Sequence, residues 1–268
     1  MSAVQTRPLL GPGDPPPVTV LRPGATRPVL VLCDHASNAV PSGLDLGVPA
    51  GEMRRHVAFD IGGRRMAERL SERLGATAVF SGYSRLVMDL NRPPGDPTST
   101  PAVSDGTVVP ANRDVPPDEV ARRADALYRP YHDRVAAEIR RLSAGGAVPA
   151  IVSVHSFTPV MHGFRRPWQV GLLWDWDPRM AVPMIARLLR RGDLCVGDNQ
   201  PYSGRGMVGH TIDVHCTAAG LPNALVEVRQ DLVATDADAD RWADRLSDVL
   251  VPVLDDPALR RIERFGPP

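Results

Sequence analysis

Four uninterrupted apolar runs constrain this chain more than any other feature. Pro28–Cys33 (PVLVLC), Ala150–His155 (AIVSVH), Gln169–Trp174 (QVGLLW) and Ala224–Arg229 (ALVEVR) lack the apolar–polar alternation of a strand with one wet face. A strand covered on both faces has no reason to alternate, so the runs read as buried strands. Ala76–Phe80, Arg85–Leu90 and Leu194–Gly197 read as shorter strands. Helical patterns lie between them. Ile61, Met66, Ala67, Leu70 and Leu74 fit a helix over Asp60–Leu74 that Gly75 stops. Pro117–Ala144 is a long helical stretch kinked at Pro130, and Pro178–Arg190 and Ala237–Val253 are helical. This alternation predicts an α/β fold with a mixed, largely parallel central sheet and helices on both faces.

Residues 1–27, rich in Pro and Gly and without a period, are expected to form an N-terminal arm, and residues 28–268 a single catalytic domain. Pro93–Asp114 is a long loop dense in Pro, Gly, Ser and Thr, of the kind that often carries function.

Charge and composition remove several classes. The formal net charge is zero, so there is no basic field for nucleic acid. All 31 basic residues are arginines, which excludes Schiff-base and P-loop lysine chemistry. No apolar run approaches the roughly 18 residues of a membrane span. The first twenty residues have no apolar leader, and Cys33, Cys195 and Cys216 form no CxxC pair, so a cytoplasmic protein is expected.

In parallel α/β sheets ligands bind beyond the carboxyl ends of the strands. His35 follows the first buried run, Asp89-Leu90-Asn91-Arg92 ends a short strand, His155-Ser156 ends the next run, and Glu227 and Arg229 sit late in another. Two imidazoles at one sheet edge can share a metal, and a hydrolytic zinc takes three protein ligands and keeps a position for water. Each histidine alone can equally cap a strand end. The third ligand is an acid near His35, either Asp34 or Asp60. Glu227, an acid in an apolar strand, must be paired or used. It is either the partner of Arg229, two residues on, or a general base for water. Asn91 and Arg92 offer an amide and a planar fork suited to a carboxylate, and Arg85 adds a second charge. His56, His132, His210 and His215 can line the site or serve packing, and His162 and Arg166 lie on a loop able to close over substrate.

These residues fall in an order that resembles the N-formylglutamate amidohydrolase family. The matching stretches are CDHAS (33–37), HVAFDIG (56–62), RLVMDLNR (85–92), PYH (130–132), VHSF (154–157), GDNQPY (197–202) and EVRQDL (227–232). The resemblance implies the fold of zinc carboxypeptidases and aspartoacylase-like deacylases. It also implies a zinc-dependent hydrolase acting on the amide of an N-acyl amino acid, with N-formylglutamate as the type case. His35 and His155 match the metal histidines, with one zinc per chain. Deacylase relatives place a Glu three residues after the first histidine; Asn38 stands there, and Asp60 is the expected replacement. Glu227 matches the late-strand general base, and Asn91 and Arg92 the carboxylate-binding pair. Arg85 or Arg166 is expected to take a side-chain carboxylate, with Arg229 also in the substrate-binding set. The expected partner is a small N-acyl amino acid bearing a carboxylate, not nucleic acid or membrane. The alternatives are a zinc peptidase or cell-wall amidase on the same fold, and a catalytically silent binding protein.

Overall fold

The structure, a computed structural model, describes residues 8–206 and 209–266; residues 1–7 of the expected arm and 267–268 lie outside it. Seven strands form the main sheet: β1 (Val18–Leu21), β2 (Val29–Cys33), β3 (Thr77–Ser81), β4 (Ala150–Phe157), β5 (Val170–Leu173), β6 (Val196–Asp198) and β7 (Asn223–Arg229). Their order is β1-β3-β2-β4-β7-β5-β6. The four strands β3, β2, β4 and β7 are parallel. At one side β1 runs antiparallel to β3; at the other β5 runs antiparallel to β7 and β6 follows β5. Every residue of β2, β3 and β4 is buried, as strands covered on both faces require.

Helices cover both faces. Val29, Val31 and Cys33 join a core with α1 (Gly63–Leu74), α4 (Ala181–Leu189) and α5 (Asp236–Leu254). Leu30 and Leu32 point the other way, into a core with Leu127 and with Tyr131 and Val135 of α3 (Arg129–Leu142). α2 (Pro117–Arg123) reaches α3 through a π-helical turn, Ala124–Tyr128. That wider turn precedes Pro130, whose missing N–H breaks the regular ladder.

Two expectations are corrected. Val18–Leu21, assigned to the arm, is the edge strand β1 in register with β3. It is partly exposed along its length and too short to show a period. Arg85–Leu90 is a series of turns, not a strand. Leu86, Val87 and Met88 are buried, but side chains satisfy their backbone: Asn112 donates to the Leu86 carbonyl (2.7 Å) and buried Arg123 to that of Val87 (3.0 Å). The long 93–114 loop contains a small hairpin that pairs Val103–Ser104 with Thr107–Val108.

Candidate active site

The adjacent strands β2, β4 and β7 converge on one patch at their carboxyl ends. Glu227 of β7 lies directly opposite His155 of β4. Leu32 of β2 pairs with Ser153, so the chain leaving β2 brings Asp34 and His35 alongside His155. Asp60 arrives from the turn before α1, where its backbone N–H donates to the His35 carbonyl at 3.0 Å. Gly62 makes that turn possible. Its φ is +75°, and a Cβ there would lie 2.2 Å from the Val233 carbonyl oxygen.

His155 Nδ1 lies 2.9 Å from Asp60 Oδ2, and His35 Nδ1 lies 3.4 Å from the same oxygen. The imidazoles meet edge to face, 5.1 Å between centroids. Their far nitrogens are held separately. His35 Nε2 is 2.8 Å from Asp89 Oδ1; His155 Nε2 is 3.0 Å from Ser153 Oγ and 3.5 Å from Asp34 Oδ2. Tyr131 donates its hydroxyl to Asp34 Oδ1. Arg85 bonds Asp89 at 2.8 Å and comes within 3.5 Å of Asp60 Oδ1. His35, Asp60 and His155 are 2–4 % exposed.

These residues fit a metal ion. One donor atom from each of His35, Asp60 and His155 lies within 4.8 Å of the others. His35 Nδ1 is buried with no hydrogen-bond partner. Two nitrogens and a carboxylate oxygen are a usual zinc donor set, and the carboxylates behind the rings are the support that ligating histidines commonly have. Asp34, the alternative ligand by sequence, stands at the far nitrogen of His155 instead. Asn38 turns away and donates to the Met53 carbonyl at 2.8 Å.

The electrostatics follow from burial and pairing. Burial raises the Asp34, Asp60 and Asp89 carboxyls, but the neighbouring histidines outweigh it, joined by Tyr131 at Asp34 and by Arg85 at Asp89, and all three stay below their ordinary values. Burial lowers His155, but Asp34 and Asp60 reverse the balance and raise it well above an ordinary imidazole. His35 is raised too: burial and Arg85 oppose its charge, and Asp89 and Asp60 prevail. Glu227 moves the other way for a carboxyl. Burial pushes it up to about 7 against the pull of the His155 charge, and its Oε2 has no hydrogen-bond partner.

A cavity of about 480 Å³ opens over this patch, with His35, Asp60, His155 and Glu227 on one side and Arg85, Asn91, Arg92 and Tyr202 around it. Asn91 accepts the Thr211 N–H through Oδ1 (3.0 Å), which leaves its Nδ2 hydrogens to the cavity. Arg92 donates to its neighbour's carbonyl, Asn91 O, at 3.0 Å, and its charge acts on the Asp89 and Asp96 carboxylates. Arg166 stands behind Tyr202. Its guanidinium packs over the ring, 4.8 Å from the centroid, and donates to the phenol oxygen at 3.2 Å. Arg229 pairs with Asp231 at 2.8 Å, so of the two readings of Glu227 the one that pairs it with Arg229 is not met, and Arg229 is not among the residues lining the cavity. His56 bonds Asp105, His162 is exposed on a hairpin turn, and His132, His210 and His215 gather elsewhere.

Asp89, named in the sequence only as part of a strand-end cluster, belongs to the site, as do Tyr131, Ser153 and Tyr202, to which no role was given. Each lies within or beside a stretch already noted, but their partners are distant in sequence: Asp89 meets His35 across 54 residues and Tyr131 meets Asp34 across 97.

The fold and site define a class: a mixed α/β protein with a buried His–Asp–His group at the carboxyl edge of its sheet. The chain belongs to the N-formylglutamate amidohydrolase family, whose model matches residues 27–234. It is therefore grouped with hydrolases that act on amide bonds. It is similar to the gene product Atu2144 from Agrobacterium tumefaciens, with 36% identity over 92% of this chain and 98% of that one, and a TM-score of 0.88. The N-formylglutamate amidohydrolase from Ralstonia eutropha JMP134 shares the fold at 21% identity, over 88% of this chain and 98% of that one, with a TM-score of 0.62. No curated protein matches the chain.

Proposed function

We propose that the protein is a zinc-dependent amidohydrolase that cleaves the amide of an N-acyl amino acid, with N-formyl amino acids such as N-formylglutamate as the type case. One observation carries the reading: two imidazole Nδ1 atoms and the Asp60 carboxylate converge at the floor of a cavity, and an unpartnered Glu227 stands beside them.

In this reading His35, Asp60 and His155 hold one zinc ion per chain. A bound zinc polarises the acyl oxygen and brings the pKa of a water down to about 7. Asp89 and Asp34, aimed at the far nitrogens of His35 and His155, keep the Nδ1 atoms pointed inward. Arg85 holds Asp89 and Asp60 in place. Glu227 takes the proton from the attacking water and returns it to the departing nitrogen as the C–N bond breaks. A carboxyl raised to about 7 suits both transfers near neutral pH. Arg92 and the Asn91 amide receive the α-carboxylate of the substrate. Arg166 acts through the Tyr202 ring, and Arg229 secures the loop carrying Arg166 by donating to the carbonyls of residues 166–168. The three cysteines stay free, in keeping with a reducing cytoplasm.

The test is formate release from N-formyl amino acids, with N-acetyl analogues beside them, by protein stripped with a chelator and then reloaded with zinc. Activity should vanish on stripping and return with zinc. A zinc-loaded, folded protein that hydrolyses none of these substrates would overturn the reading.

A further inference from the structure

Tyr202 stands on the wall of the cavity, and two glycines put it there. Glu227 of β7 lies opposite Gly171 of β5, which in turn lies opposite Gly197 of β6. Residues in register across a sheet share a face, so the strip of sheet beside Glu227 is bare of side chains. The chain returning from β6 lies down on that strip. A Cβ on Gly171 would overlap the Gln200 carbonyl oxygen, and one on Gly197 would come within 2.7 Å of it. Asn199 pins the turn, its Oδ1 accepting the backbone N–H groups of Trp174 (3.1 Å) and Gly204 (2.9 Å). Tyr202, two residues past Gln200, is thereby set on the Glu227 side of the cavity, and the Glu227 charge acts on its phenol.

The hydroxyl is braced from behind. Arg166 is buried, and its acceptors are neutral: the Thr158 carbonyl and the Tyr202 phenol oxygen, each at 3.2 Å. A guanidinium bonded to the phenol oxygen polarises the O–H and strengthens it as a donor. Among the described residues that O–H has no acceptor. Burial and the Glu227 charge raise the phenol above its ordinary value against the pull of Arg166 and Arg85, so the hydroxyl keeps its proton at neutral pH. Arg85 is committed to Asp89 and Asp60, and Arg92 with Asn91 to the α-carboxylate of the substrate.

We infer that Tyr202 is a catalytic residue that donates its hydroxyl to the acyl oxygen of the substrate as that oxygen becomes an oxyanion. The inference rests on the proposed amidohydrolase reading and adds a residue to the same site. As water adds to the acyl carbon, the π pair of the carbonyl moves onto the acyl oxygen, and the Tyr202 O–H meets the new charge. The phenol gives up no proton. The proton of the water travels through Glu227 to the nitrogen as the C–N bond breaks and the carbonyl re-forms. A donor aimed at charge that develops only in the transition state lowers the barrier without tightening the substrate.

Tyr202→Phe removes the hydroxyl and keeps the ring against Arg166. Zinc-loaded wild type and variant are compared for kcat and KM on the N-formyl amino acid that the wild type hydrolyses fastest. Calorimetry then measures binding of the phosphonamidate of that amino acid, whose phosphoryl oxygens imitate the oxyanion, and zinc content is measured on both proteins. In the variant kcat should fall on the order of 10²-fold, the usual cost of one oxyanion donor. KM should shift by no more than a few-fold, zinc content should be unchanged, and phosphonamidate affinity should fall together with kcat/KM. A near wild-type kcat, a loss confined to KM or an unchanged phosphonamidate affinity would overturn the inference and leave the amidohydrolase reading standing. A wild type that releases formate from none of the N-formyl amino acids would overturn that reading, and the inference with it.

Discussion

The molecule holds two gatherings of histidine, and they are built in opposite ways. His35 and His155 are surrounded by Asp34, Asp60 and Asp89, and both are raised above an ordinary imidazole despite burial. His132 and His210 pack on Tyr128, and His215 stacks on His132. His132 Nε2 donates to the Leu90 carbonyl at 2.9 Å, which leaves Nδ1 to accept from His215 Nε2 at 2.9 Å. The Tyr128 hydroxyl meets His210 Nε2 at 2.6 Å. Burial lowers all three, His215 to about 4. The contrast teaches that the surrounding acids, rather than the imidazoles, separate a candidate ligand set from a packed one. In the first cluster inward nitrogens gather on a shared oxygen; in the second the rings mainly satisfy one another, a backbone carbonyl and a phenol.

The largest expected effect breaks the first cluster's chemistry without touching its donors. Glu227→Gln keeps the shape and removes the base. General acid–base contributions are about 10²–10⁴-fold, so kcat should fall by that order while zinc content is unchanged. Near wild-type turnover in a folded, zinc-loaded variant would remove Glu227 from the reaction. The wild-type acid limb sharpens the same point: Glu227 works ionised, so kcat/KM should rise with pH through about 7, and Glu227→Gln should flatten that limb.

A smaller effect separates the acids behind the rings from the rings themselves. Asp89→Asn leaves an amide at His35 Nε2 and weakens the hold of Arg85. Zinc affinity should fall by about 10–100-fold, the usual cost of losing such a partner. His132→Asn should leave it unchanged. Equal zinc affinity in Asp89→Asn and wild type would show that the carboxylate does not orient His35.

The smallest effect belongs to the second cluster. An imidazole held at about 4 leaves the native state with fewer bound protons than the unfolded chain below pH 6.5. Stability is therefore lost as pH falls from 6.5 toward 4. The raised imidazoles of the first cluster act in the opposite sense: their stabilisation is present below pH 6.5 and is lost as pH rises through their folded values. His215→Asn should reduce the acid loss, by about 1–2 kcal/mol once the partly exposed ring is allowed for. Urea titrations at pH 7 and 5 read this directly, and an undiminished acid loss in the variant would assign it to other groups.

Much of the fold is legible in the sequence because buried parallel strands write themselves as apolar runs. Val29–Cys33, Ala150–Phe157, Val170–Leu173 and Asn223–Arg229 each lie on or overlap one. Edge strand β1 escapes because Val18–Leu21 is half-covered and short. Leu86–Met88 misleads because burial without a ladder has the same composition as burial within one. At the site, His35, Asp60 and His155 are nameable from strand ends and a resemblance. Which acid faces which nitrogen is not, because Asp34 and Asp60 take opposite sides of the same ring. The arginines are hardest to read. Arg85, Arg166 and Arg229 are chemically alike in sequence, and only packing reveals that each is engaged within the protein.

The central claim is that the carboxylate-ringed histidines, and not the packed ones, hold the metal. Zinc content per chain, measured on wild type, a His35→Ala/His155→Ala variant and a His132→Ala/His215→Ala variant, with folding checked by circular dichroism, tests it most directly. The account predicts about one zinc in wild type and in the His132/His215 variant, and none in the His35/His155 variant. A folded His35→Ala/His155→Ala protein that retains its zinc would contradict it.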